Sequence, residues 1–196
     1  MARHWRGLIS EISKREEELG GKTLVIVGMG RIGSRLATLA KAFDMHVIGI
    51  KRDISKGCGA ADRTVATSDL LSALTQADFV ALTCNLNPTT ENLINAQALA
   101  MMKPTAYLIN VARGKVVHEP SVIEALRAGT IAGAALDCAW DEPLPDTSPL
   151  WTAPNVFITP HSAGETQKYE DNVIDLLIEN LARLSRGETL LKNEFV

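Results

Sequence analysis

Three side chains of this 196-residue chain could do chemistry together: the guanidinium of Arg113, the carboxylate of Glu142 and the imidazole of His161. Each lies just beyond an apolar run that reads as a strand, at Tyr107 to Asn110, Ala132 to Leu136 and Val156 to Ile158. A guanidinium can grip a carboxylate and stabilise a developing alkoxide. An imidazole titrates near neutrality, so it can deliver a proton to a carbonyl oxygen and withdraw it in the reverse direction. A carboxylate bonded to that imidazole would orient it and favour its protonated form. Beside a nicotinamide, the three groups are what reduction of a 2-keto acid needs. Taken singly, each has a plainer explanation: most arginines are solvated, Glu142-Pro143 could end a turn, and a lone histidine is more often structural. Their joint placement at strand ends carries the argument.

The nicotinamide would be held by Gly28-Met29-Gly30-Arg31-Ile32-Gly33, which joins the apolar strand Leu24 to Val27 to a helical pattern. Gly28 permits a tight turn, Gly30 lets backbone approach a pyrophosphate, and Gly33 allows close helix–strand packing. The N–H groups opening the helix then face an anion. Ile32, Leu36, Leu39, Ala40 and Phe43 recur at helical spacing and predict the buried face of that helix. A second strand, Val47 to Ile50, completes the strand–helix–strand unit that the glycine pattern requires.

At the end of the second strand, roughly 20 residues beyond the first glycine, a fold preferring NAD carries an acid for the ribose 2′-hydroxyl. Lys51 and Arg52 stand there instead. Two cations suit the 2′-phosphate of NADP. Asp53 keeps the alternative open, because a shift of two residues in the turn would bring it to the ribose; two solvated cations at a strand end are the plainest reading.

The positioning elements follow from patterning. Residues 5–19, with Trp5, Leu8, Ile9, Ile12 and Leu19 among charges, predict an amphipathic helix ended by Gly20-Gly21. Further strands are expected near Thr64 to Ala66 and at Phe79 to Thr83. Helices are expected over Asp69 to Leu74 with Ser68 as cap, from Asn95, from Pro120 to Ala128 with Gly129 closing it, and over Lys168 to Ser185. The last shows Val173, Leu176, Leu177, Asn180, Leu181 and Leu184 on one face. Short apolar strands alternating with helices predict an α/β protein with a doubly wound parallel sheet and its ligand at the carboxyl ends of the strands.

Composition narrows the partners. A net charge of −3 without a long basic run points away from nucleic acid and anionic membranes. No apolar run reaches membrane-spanning length and the first residues lack a signal-peptide core, so the expected location is cytoplasmic. Cys58, Cys84 and Cys138 have neither metal-ligand nor redox spacing; they are read as buried reduced thiols, and no metal site is expected.

These motifs also carry a resemblance. Gly28 to Gly33, Asn87-Pro88-Thr89-Thr90 with Leu93-Ile94, Met102-Lys103-Pro104, Asn110-Val111-Ala112-Arg113-Gly114, Ala135-Leu136-Asp137, Glu142-Pro143-Leu144-Pro145, Ser148-Pro149-Leu150-Trp151 and Thr159-Pro160-His161-Ser162-Ala163-Gly164 occur in order. Nearly end to end, the chain resembles the cofactor-binding domain of the D-isomer-specific 2-hydroxyacid dehydrogenases. The resemblance implies a Rossmann domain using NAD or NADP. It makes Arg113, Glu142 and His161 the catalytic arginine, glutamate and histidine, and Asp137 the carboxylate facing the nicotinamide carboxamide. It adds Arg31, Ile32, Asn85, Thr90, Val111, Ala112 and Gly164, with Arg113 and His161, to Gly28, Gly30, Gly33, Lys51 and Arg52 as cofactor-contacting positions. Departures from the pattern are Lys51 for an acid, Asn85 for a proline, His118 for an aspartate that often caps the next helix, and Ala139 for a phenylalanine.

The resemblance further implies an organisation of N-terminal helix (1–20), dinucleotide-binding domain (21–164) and C-terminal helix and tail (165–196). The N-terminal substrate domain of the family is absent from this pattern, so a truncated, excised or split form with low activity alone is expected, partnered by a small 2-keto or 2-hydroxy acid, a second copy in a homodimer, or a separate substrate-domain chain. A different class, a non-catalytic NAD(P)-binding or sensing module working with a partner, stays open. A short-chain reductase is disfavoured, since neither Tyr107 nor Tyr169 is followed by lysine four residues on.

Overall fold

Leu24 to Val27 form a strand buried on both faces, as an interior strand of a parallel sheet must be. Alternate side chains serve opposite sides: Val25 and Val27 enter a large core, Leu24 and Ile26 a smaller one. The computed structural model describes residues 7–12, 15 and 17–193. It divides into two compact units, Met1–Ile158 and Thr159–Val196.

In the first unit the strands are β1 (Thr23–Val27), β2 (His46–Lys51), β3 (Arg63–Ala66), β4 (Phe79–Leu82), β5 (Tyr107–Asn110), β6 (Gly133–Leu136) and β7 (Val156–Ile158). The helices are α1 (Arg31–Ala42), α2 (Leu70–Leu74), α3 (Ala96–Ala100) and α4 (Glu119–Ala128). The sheet runs β3-β2-β1-β4-β5-β6-β7 with every pair parallel. Strand order reverses between β1 and β4, and a crevice opens there at the carboxyl ends. The large core takes Leu70 and Leu74 of α2, Leu99 of α3, and Val122 and Leu126 of α4. Burying each such side chain contributes about 1.5–3 kcal/mol.

The sequence expectation for α1 holds at Ala40, which is buried, and in part at Leu36, which packs against the smaller core, and is corrected at the other three positions. Its buried residues are Gly33, Ala37 and Ala40, whereas Ile32, Leu39 and Phe43 are exposed. Small residues on the inner face let the helix lie close to β1 and β2. Two further expectations change. Among the described residues of 5–19 none is α-helical, and Leu8 and Ile12 are exposed; Trp5 lies outside the described residues. Ser68 does not cap α2, because a 3-10 turn over Thr67–Asp69 precedes it. Asn95 does cap α3, its side chain accepting from the Ala98 N–H at 3.1 Å, and Gly129 closes α4 in the left-handed region at φ 69°.

Two carboxylates pin strands to their surroundings. Asp78 accepts from the Thr23 N–H and from Lys103, both at 2.8 Å. Burial raises its pKa, but Lys103 and the Thr23 N–H outweigh this and leave it lowered. Asp62 accepts from Lys41 at 2.8 Å and the Val47 N–H at 2.7 Å, and its pKa is lowered, first by Lys41.

The second unit contains α5 (Tyr169–Ser185), closed near Gly187 at φ 78°. Val173, Ile174, Leu177, Ile178, Leu181 and Leu184 are all exposed. Asn180, placed by the sequence reading among the apolar residues, instead exchanges two hydrogen bonds with the backbone of Lys192, folding the tail back. No helix among the described residues is long and apolar enough to cross a membrane.

Candidate nucleotide-binding and active site

The glycine turn is built as its pattern requires. Gly28 has φ +100°, and a Cβ there would come within 2.7 Å of the Cys84 backbone. At Gly33 a Cβ would lie 2.2 Å from the Gly28 carbonyl oxygen. Gly30 differs: a Cβ would meet nothing within 4 Å, so it faces open space. α1 starts immediately after it, with no side-chain cap and no acidic residue in its first turn. Its opening N–H groups therefore offer a positive end to an anion.

This turn is one wall of a cleft of about 390 Å³ between the ends of β1, β2 and β4. Gly28, Gly30, Lys51, Arg52, Asp53, Thr67, Asn85 and Thr90 line it. The Thr90 hydroxyl donates to the Asn85 carbonyl at 2.7 Å and accepts from the Asn87 N–H at 2.9 Å, which holds the loop that closes the opposite wall. Lys51 donates to the Gly57 carbonyl. Asp53 accepts from the N–H and hydroxyl of Ser55 at 3.0 and 2.6 Å and so caps a 3-10 turn over Ile54–Lys56. All three ribose-recognition candidates thus line the cleft, and the side chains of Lys51 and Asp53 also hold the β2–β3 loop. Arg31 and Ile32 are exposed on the first turn of α1. The open space at Gly30, the uncapped helix start and the cationic β2 end together fit a dinucleotide.

The chemical groups of the first unit stand at the carboxyl ends of β5 and β6. Val111 is exposed and Ala112 buried, and Arg113 follows in extended conformation with its guanidinium donating to the Ala112 carbonyl at 2.6 Å. Asp137 is buried, its N–H donating to the Asn110 carbonyl at 2.9 Å. Glu142 accepts from the Ala139 N–H at 3.0 Å. The turn carrying Arg113 and the turn carrying Glu142 touch through backbone: a Cβ on Gly114 would lie 1.8 Å from the Ala139 carbonyl oxygen. Gly114 and Asn110 acquire roles here that the sequence reading did not give them; the available signal was a polar residue ending an apolar strand three positions before an arginine.

Neighbouring positions also resolve. His118 begins α4 without a backbone cap and instead hydrogen-bonds Ser121 through Nδ1 at 2.7 Å. Its ring meets Trp140 edge-on at 5.4 Å, and the indole N–H donates to the Val117 carbonyl at 2.7 Å, so Trp140 braces the start of α4. Burial, with the charges of Glu142 and Asp137, pushes the Cys138 thiol up to about 12, which keeps it neutral and inert. Cys84 is half-buried; Cys58 is exposed, contrary to the expectation that all three cysteines are buried.

In the second unit, His161 has φ 56°, a left-handed conformation rare outside glycine, and its N–H donates to the Thr159 carbonyl at 3.0 Å. Gly164 follows, with nothing within 4 Å of a built Cβ.

Residues 1–163 match the family model of the D-isomer specific 2-hydroxyacid dehydrogenase, NAD binding domain. The chain belongs to this family. It is 41% identical over 175 residues to a glyoxylate reductase of Aeropyrum pernix, covering 87% of this chain and 51% of that protein. Against a D-3-phosphoglycerate dehydrogenase of Methanocaldococcus jannaschii the identity is 37% over 171 residues, covering 87% and 32%. A D-isomer specific 2-hydroxyacid dehydrogenase from Xanthobacter autotrophicus, solved in complex with NADPH and MES, superposes with a TM-score of 0.81 at 34% identity, covering 89% of this chain and 71% of that one. The chain spans between about a third and just over half the length of the curated relatives it matches. As a 2-hydroxyacid dehydrogenase NAD-binding domain, it places its glycine turn, cationic β2 end and Arg113 turn along one edge of a single parallel sheet.

Proposed function

We propose that this NAD-binding domain serves an NAD(P)-dependent oxidoreductase that interconverts small 2-keto and 2-hydroxy acids, with NADPH preferred to NADH. The observation that carries the reading is the open face of Gly30 at the uncapped start of α1, on the sheet edge that also bears Arg113. Bound nicotinamide would supply or accept the hydride. Gly28 to Gly33 would hold the pyrophosphate, Lys51 and Arg52 the ribose end, and Asp137 the carboxamide. Arg113 would leave the Ala112 carbonyl to bind the substrate carboxylate and stabilise the oxygen that gains charge. His161 would give that oxygen its proton in reduction and take it back in oxidation. Glu142 is proposed as the charge partner of the acid–base group. The glyoxylate reductase and the NADPH complex among the relatives support glyoxylate-sized acids and NADPH.

Steady-state assays with glyoxylate and hydroxypyruvate, paired with nucleotide titrations, test this. Arg113→Ala and His161→Gln should remove at least about 100-fold of any turnover and lower nucleotide affinity far less, because neither side chain is asked to hold the pyrophosphate or the ribose. Activity persisting in His161→Gln would overturn the proton-donor assignment.

The match to an NAD-binding domain model supports a second reading, a module that binds NAD(P) without turnover and works with a partner. Nucleotide binding without turnover of either acid would favour it. Self-association is proposed as a homodimer, supported by the exposed Ile32 and Leu39 on α1 and Phe43 just beyond it. Light scattering at tens of micromolar giving the mass of one chain would count against the dimer.

A further inference from the structure

Among the described residues, Asn110 is the most completely buried polar side chain, with no solvent exposure, and it ends β5 three residues before Arg113. A primary amide can be buried cheaply only if its donor and acceptor are both used. Both are used on the same short turn. Its Oδ1 accepts from the Ala112 N–H at 3.0 Å, and its Nδ2 donates to the Arg113 carbonyl at 3.0 Å. The Val116 N–H donates to that same carbonyl at 3.1 Å. Because the Asn110 carbonyl also accepts from the Asp137 N–H at 2.9 Å, the amide sits where the turn bearing Arg113 meets the start of the segment beyond β6.

We propose that Asn110 is a positioning residue for substrate carboxylate binding: its amide holds the Ala112 N–H and the Arg113 carbonyl, which belong to the peptide units on either side of the Ala112–Arg113 bond, and so aims the Arg113 guanidinium. This rests on the reading of Arg113 as the carboxylate clamp. The guanidinium hangs from a backbone that is bonded on both sides to one fixed side chain. A small rotation of the Ala112–Arg113 backbone would be magnified along the length of the arginine, and misplacement by about 1 Å can cost about 100-fold in a reacting complex. No contact of Asn110 with nucleotide or substrate is required.

The test uses oxalate, whose adjacent carboxylates mimic a 2-keto acid, titrated into the full chain saturated with NADPH. Asn110→Ala should weaken oxalate binding by about tenfold, leave NADPH affinity within about twofold, and add no further loss in an Arg113→Ala background. An equal loss in both backgrounds, or oxalate affinity unchanged from the unsubstituted chain, would overturn the role of Asn110 alone. Failure of the unsubstituted NADPH complex to bind oxalate would instead overturn the carboxylate-clamp reading, and this inference with it. A measurement without any substitution guards against a variant that does not fold: the Asn110 side-chain amide and the Ala112 N–H should both be protected from hydrogen exchange, and rapid exchange of either would show that the clamp does not exist.

Discussion

The Thr83 hydroxyl donates to the Gly28 carbonyl at 2.7 Å, joining the end of β4 to the turn after β1. These are the two strands between which the sheet reverses order, so the bond ties one lip of the cleft to the other. Thr83→Val keeps the shape but removes the donor. It should cost about 1 kcal/mol in urea unfolding and weaken NADPH binding about fivefold through a looser glycine turn. Unchanged affinity would show that Gly33 packing alone holds the turn.

Gly30 and Gly33 belong to the same turn but differ in the space around them. Gly33→Ala would drive a Cβ into the Gly28 carbonyl and should destabilise the domain by about 1–3 kcal/mol. At Gly30 a Cβ meets no protein atom within 4 Å, so Gly30→Val should keep stability within about 0.5 kcal/mol while abolishing nucleotide binding. Thermal unfolding with and without NADPH separates the two, and a Gly30→Val chain still stabilised by nucleotide would place the pyrophosphate elsewhere.

Cofactor preference should depend more on Arg52 than on Lys51. The Lys51 ammonium already serves the Gly57 carbonyl, and Asp53 is bonded to Ser55, whereas Arg52 lines the cleft beside them. Calorimetry should give NADPH an advantage of about tenfold over NADH, reduced more by Arg52→Ala than by Lys51→Ala, and reduced also by Lys51→Asp. Equal affinities for the two nucleotides in the unsubstituted chain would refute the preference.

Asp78 makes stability acid-sensitive. Its folded-state pKa lies below the ordinary 3.8, so its contribution is present above the unfolded value and is lost as pH falls through the folded one. Asp78→Asn should cost about 1–2 kcal/mol at pH 7, with the gap to the unsubstituted chain closing below pH 3.8. Urea titrations across that range check the sign; a gap that widened in acid would refute it.

The sheet was legible because its strands are short apolar runs, such as Leu24 to Val27, separated by helix and turn signals. The face of α1 was not. Large residues at 32, 39 and 43 repeat with helical period, but so do Gly33, Ala37 and Ala40, and periodicity cannot say which stripe meets the sheet. Close approach favours the small one. Arg113 and Glu142 were legible as residue types after strands, yet the Asn110 clamp and the Gly114–Ala139 contact depend on segments far apart in sequence. Residue patterns record local period and chemistry; they do not record which distant backbone closes against a glycine.

The interior place of β1, between β2 and β4, has a consequence for synthesis. One edge of β1 pairs with β2, which follows soon after, but the other pairs with β4, and Asp78, which anchors the start of β1, lies 55 residues beyond Thr23. A nascent chain therefore carries an apolar strand with one unsatisfied edge until residues 79–82 leave the ribosome. Such an edge is a template for pairing with other chains and a natural target for a chaperone. The cleft inherits the same delay, since Gly28 and Thr83 reach it from opposite sides of that late-formed seam.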